Sequence, residues 1–104
     1  MALSLSSHRE GDTVTIVVQG DVDLSNAEQL EQAISTAGAD DATGIVVDLA
    51  GVPFLDSAGI NALVKGRRWA DEHHRSMRVT GARGLVREVL DMTGVLAHLS
   101  NPPQ

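Results

Sequence analysis

Ile45-Val46-Val47-Asp48-Leu49 is a short, mostly apolar run of the kind found in central parallel strands, which are covered on both faces. A strand of that type needs neighbours, and parallel neighbours are joined by crossovers of about a dozen residues or more, usually helical. The chain supplies both. Ahead of the run, Leu3 and Leu5 alternate with Ser4 and Ser6, and Val14, Ile16 and Val18 share a face against Thr13, Thr15 and Val17. Joined through Arg9-Glu10-Gly11-Asp12, these two stretches predict an antiparallel hairpin.

Helical patterns separate the remaining strands. Ser25-Asn26-Ala27-Glu28 fits the Ser-x-x-Glu capping box, and Ala27, Leu30, Ile34 and Ala37 then lie on one stripe. A second helix is expected from Ser57 to about Glu72, with Ile60, Leu63, Val64 and Ala70 inward and Lys65, Arg68, Asp71 and Glu72 outward. Met77-Arg78-Val79 reads as a short strand. A third helix, from about Ala82 to Met92, places Leu85, Val86, Val89 and Leu90 on one stripe and stops at Thr93-Gly94, where Gly can adopt the left-handed conformation. Val95, Leu96 and Leu99 are expected to return to the core. The resulting fold class is α/β: one mixed sheet, antiparallel at its N-terminal hairpin and parallel thereafter, packed with helices. One domain over residues 1–100 is expected, with a flexible tail at 101–104.

A chain of 104 residues can bury one core without metal or disulfides, and it has no cysteine from which to build a disulfide or a thiol nucleophile. A net charge of -6 disfavours nucleic acid and anionic membrane surfaces as partners and suits a basic protein surface instead. No apolar stretch approaches a membrane span, and Met1-Ala2-Leu3-Ser4 lacks the blocks of a signal peptide, so a cytoplasmic location is expected. With Phe54 and Trp69 the only aromatic residues, there is little for a base or sugar to stack on.

The chemistry concentrates in Phe54-Leu55-Asp56-Ser57-Ala58-Gly59-Ile60, where a buried strand gives way to a helix and a hydroxyl follows an acid. A hydroxyl at a helix start can cap the first turn or accept a phosphoryl group, and the two roles are compatible because free N–H groups and the helix dipole favour an anion there. Gly59 is expected to mark an exposed turn that another surface can approach closely. Gly20-Asp21-Val22-Asp23-Leu24 ends a neighbouring strand and is placed to lie beside it, on the carboxyl edge where open α/β sheets carry their sites. Asp21, Asp23, Asp56 and Ser57 could in principle hold a divalent cation, but turn-shaping and capping explain these residues more simply, and no metal or other cofactor is expected.

Catalysis finds no complete constellation. A nucleophile elbow needs Gly-x-Ser-x-Gly, and Leu55 stands where its first Gly belongs. No phosphate-binding loop of the Gly-x-x-x-x-Gly-Lys-Ser/Thr type is present. His73 and His74 are adjacent, hence about 100° apart on a helix, and read as solvated helix-end residues.

Gly20-Asp21-Val22-Asp23, Val46-Val47-Asp48-Leu49, Phe54 to Gly59 and Asp91-Met92-Thr93-Gly94-Val95, in that order, resemble the anti-sigma factor antagonists of the STAS domain family. The resemblance implies a binding protein without activity of its own. Its partner would be an anti-sigma factor of the serine-kinase type, whose capture releases a sigma factor. It also implies that the partner phosphorylates Ser57 and that a phosphatase acting on phosphoserine restores the active form. The interface is then expected at Asp21, Asp23, Asp56, Ser57, Ala58, Gly59 and Asn61. Two departures stand out: Ala58 replaces the second hydroxyl residue often found there, and Asp21 stands where Glu is common. Relatives that serve as unphosphorylated adaptors, for example in lipid-transport ABC systems, keep the same fold and form the alternative.

Overall fold

The computed structural model describes residues 3–39 and 42–92. Strand β1 (Ser4–Glu10) turns through Gly11 and Asp12 into β2 (Thr13–Gln19), and Gly11 takes the left-handed conformation, φ 63°, that a two-residue hairpin loop requires. Helix α1 (Ala27–Ala39) leads to β3 (Gly44–Gly51), α2 (Ser57–Glu72) leads to β4 (Ser76–Thr80), and α3 (Gly84–Met92) follows. The strands lie side by side in chain order: β1 antiparallel to β2, and β2, β3 and β4 parallel. This is the mixed sheet that the apolar run and its flanking helices predict.

The period of two along each strand decides what the sheet buries. Val14, Ile45 and Met77 form one row across the parallel strands and Ile16, Val47 and Val79 the next, all of them buried. Helix α1 lies over β2 and β3, α2 lies over β4, and the two helices pack on each other. Ala27, Leu30, Ile34 and Ala37 of α1 are buried as their spacing predicts.

On α2 the buried stripe is Gly59, Ala62, Leu63, Gly66, Arg67 and Ala70, while Ile60 and Val64 are only half-buried. The expected stripe is therefore rotated, because small residues let the helices approach more closely than branched ones. A β-carbon on Gly66 would stand 2.6 Å from Ile34 Cδ1, and one on Gly38 would collide with the Trp69 ring. Each helix thus carries a notch for a side chain of the other. Arg67, an unexpected resident of the interior at 4% exposure, donates to the Met77 carbonyl and to Asp71, tying α2 to β4.

Helix α3 starts at Gly84 rather than Ala82: Gly81 and Gly84 hold left-handed φ values of 76° and 60°, so the regular helical backbone cannot extend back before Gly84. Val86 and Leu90 are buried, but Leu85 faces solvent instead of joining them. The expected helix stop at Thr93-Gly94, the return of Val95, Leu96 and Leu99, and the tail lie outside the described residues. Among the described residues no helix is long and apolar enough to cross a membrane.

Candidate functional site

Two backbone hydrogen bonds join the segments that carry the acids and the serine. After β2, Gly20 turns the chain at φ 107° and donates to the Gly51 carbonyl. Val22 then runs parallel to Leu55: its N–H donates to the Phe54 carbonyl at 3.0 Å, and its carbonyl accepts from the Asp56 N–H at 3.2 Å. Val22 and Leu55 are both buried. Asp21 and Asp23 flank Val22, and Asp56 and Ser57 follow Leu55, so the carboxyl edge gathers the two segments as the sequence predicts.

Asp56 is the N-cap of α2. Its backbone is extended, φ -98° and ψ -172°, and its Oδ1 accepts from the N–H groups of Ala58 at 2.9 Å and Gly59 at 3.1 Å. The acid rather than the serine therefore closes the first turn. Ser57 is the first helical residue and its side chain is exposed. Asn61 is exposed one turn further on, while Ala58 is half-buried against the core.

Gly59 requires a correction. It is buried, and a β-carbon there would come within 2.6 Å of Leu55 Cδ1 and 2.9 Å of Val22 Cγ1. Its bare α-carbon makes room for the molecule's own joined strands, not for an approaching surface.

The capping box at α1 also forms differently. Asp23 Oδ1 takes both the N–H and the hydroxyl of Ser25, so Ser25 serves the acid two residues before it rather than Glu28. The Asp23 carbonyl accepts from the N–H groups of Asn26 and Ala27, and the Asp23 N–H donates to Asn26 Oδ1 at 2.9 Å. Asn26, 6% exposed, also donates through Nδ2 to the Asp21 carbonyl at 3.0 Å. Sequence reasoning missed this residue. The signal was an Asn between two acids and a helix start, where its amide can bond the preceding backbone.

The hydroxyl of Ser25, then its N–H, stabilise the charged form of Asp23 and hold its carboxyl below the ordinary value of 3.8. Because the folded-state value is depressed, the loop's contribution to stability is complete above 3.8 and is lost as pH falls through the lower folded value. The edge thus presents an exposed hydroxyl amid fixed carboxylates. Among the described residues no group of three His, Cys, Asp or Glu side chains converges as metal ligands would.

The chain and its fold are similar to those of known proteins. A family model described as "Mlab, STAS domain" matches residues 5–99. The anti-sigma-F factor antagonist RsfB of Mycobacterium tuberculosis is 44% identical over 46 residues, a match that spans 44% of this chain and 38% of that protein. A crystal structure of an anti-sigma factor antagonist from Mycobacterium paratuberculosis superposes with a TM-score of 0.84 at 27% identity, covering 99% of this chain and 87% of that one. The anti-sigma factor antagonist SpoIIAA in its unphosphorylated form gives 0.67 at 25% identity, covering 88% of this chain and 83% of that one.

Two measurements check this account of the edge. In urea denaturation, Asp56→Ala is expected to cost about 1 kcal/mol as two amides lose their acceptor, whereas Ser57→Ala stays within about 0.5 kcal/mol. Equal losses would return the cap to the serine. In a carboxyl-carbon NMR titration, Asp23 is expected to titrate below 3.8 and to move back up in Ser25→Ala. An unchanged midpoint would show that Ser25 does not hold the charge.

Proposed function

The chain belongs to the STAS domain family, and we propose that it is an anti-sigma factor antagonist: a binding module without catalysis of its own, switched by phosphorylation of Ser57. One observation carries this reading. An exposed serine hydroxyl stands at the first position of α2, directly after the capping acid and on the edge to which the Asp21–Asp23 loop is joined.

The partner is a serine-kinase-type anti-sigma factor that docks on this edge, with Asp21, Asp23, Asp56, Ser57 and Asn61 in the contact and Ala58 and Gly59 shaping the helix start beneath it. Docking in the unmodified state withdraws the anti-sigma factor from its sigma factor. When the partner acts as kinase, Ser57 Oγ forms the new bond to phosphorus, the bond to the leaving nucleoside diphosphate breaks, and the hydroxyl proton passes to the kinase. A phosphatase reverses the change by hydrolysis.

On this reading a phosphate acts on the interface and not on the fold. Asp56 already occupies the N–H groups of Ala58 and Gly59, donors that a helix N-terminus otherwise offers to an anion. A phosphate on Ser57 adds about 1.5 to 2 negative charges beside that carboxylate and projects them toward the partner. Against a partner carboxylate about 5 Å away, an effective dielectric of about 20 gives roughly 5 kcal/mol of repulsion. Screening to about half still weakens binding by about a hundredfold. The capped fold itself has no reason to open.

Calorimetric titration against the kinase-type anti-sigma factor tests the switch, with circular dichroism to verify folding. Ser57→Ala is expected to bind as the unmodified protein does and Ser57→Glu at least about tenfold more weakly. Equal affinity of the two folded variants would reject a charge switch and favour the unphosphorylated adaptor.

A further inference from the structure

Leu24 is 84% exposed on a loop that leaves it little freedom to be otherwise. A lone surface leucine calls for no explanation. This one is bracketed by bonds on both sides: Ser25 is held to Asp23 through its N–H and hydroxyl, and Asn26 clasps Asp23 and Asp21 from a buried position. Val22, two residues earlier, is fixed to the backbone of Phe54 and Asp56. Such a loop cannot fold Leu24 back onto the core without breaking this network. Its ordering cost is met in the free protein, which is the condition for a side chain to contribute strongly on binding.

Charge identifies the kind of surface that receives it. The half-buried Asp21 and Asp23 flank Val22 and the Leu24 loop, Asp56 is joined to the same segment, and the chain as a whole carries a charge of -6. Phe54, whose carbonyl accepts from Val22, adds a second, 42% exposed apolar side chain to the joined segments. An apolar knob amid carboxylates fits an apolar socket with a basic rim.

We propose that Leu24 is a preformed anchor that enters an apolar pocket, rimmed by Lys or Arg side chains, on the anti-sigma partner; this rests on the reading of the Ser57 edge as the partner interface. The two parts of the edge then divide the work. Leu24 sets how long the complex lasts, and the state of Ser57 sets whether it forms.

Binding kinetics against a panel of recombinant serine-kinase-type anti-sigma factors from the source organism test the proposal, using the full chain and its Leu24→Ser, Leu24→Met and Ser57→Glu variants. Because Leu24 is 84% exposed, and Ser57 is an exposed first helical residue where a negative charge is favoured, all three are expected to keep the circular dichroism and urea midpoint of the parent within error. The expected result is that Leu24→Ser binds at least about tenfold more weakly through faster dissociation, while Leu24→Met stays within about threefold. Wild-type affinity in Leu24→Ser beside weakened Ser57→Glu overturns the anchor and leaves the switch standing. Weakened Leu24→Ser beside unaltered Ser57→Glu supports the anchor and removes the switch. Unaltered binding by both, or no binding by the parent protein to any member of the panel, overturns both.

Discussion

The joining of Val22 to the Phe54–Asp56 backbone is the constraint on which the candidate site depends. Beyond the Gly20–Gly51 bond at the strand ends, nothing else in the backbone ties the segment that carries the acids to the segment that carries the serine among the described residues. Two backbone hydrogen bonds and the burial of Val22 and Leu55 make them one surface. Gly59 belongs to the same constraint, since any β-carbon there would push against both buried side chains. A glycine that looks permissive in the sequence is thus a packing requirement, and its substitution would act on the site through the core.

Electrostatics at the edge follow from how the helix starts are closed. At α2 a carboxylate takes two amides and leaves the neighbouring serine exposed. Before α1 another carboxylate takes the N–H and hydroxyl of Ser25, and a buried amide completes the loop. Both acids are fixed by bonds to their own loops, so the field they present to a partner is set before it arrives. A modification that adds charge beside such a fixed group would change the surface more than the fold, as a reversible binding switch requires.

The sheet was legible because its signals are periodic. Alternation at Val14, Ile16 and Val18 and the stripe Ala27, Leu30, Ile34 and Ala37 each repeat one structural period, and burial follows both; the run Ile45–Leu49 showed itself by continuous apolarity instead, and of it Ile45, Val47 and Leu49 are buried while Val46 is half-buried. The meeting of the Asp21–Asp23 and Asp56–Ser57 segments was legible from topology alone. What was hidden lay in competition between neighbours. Ser25 fits a capping box, but Asp23 reaches its hydroxyl first; Leu85 fits an apolar stripe, but the left-handed Gly84 shifts the start of α3 and leaves it outside. Asn26 and Arg67 are polar residues in the interior, held there by the Asp21 carbonyl and Asp23 N–H in one case and by the Met77 carbonyl and Asp71 in the other. The rotation of the α2 stripe comes from the notches at Gly38 and Gly66, a matter of shape that a pattern of apolar residues does not encode.

The central claim is that the exposed hydroxyl beside the capping acid is the point of control. Its most direct test is to incubate the protein with ATP and the serine-kinase-type anti-sigma factor proposed as its partner, then locate the modification by intact-mass and fragment-ion spectrometry. A single phosphate is expected on Ser57 and none on Ser57→Ala. A phosphate on another residue, an equally modified Ser57→Ala, or no phosphate at all would contradict that claim.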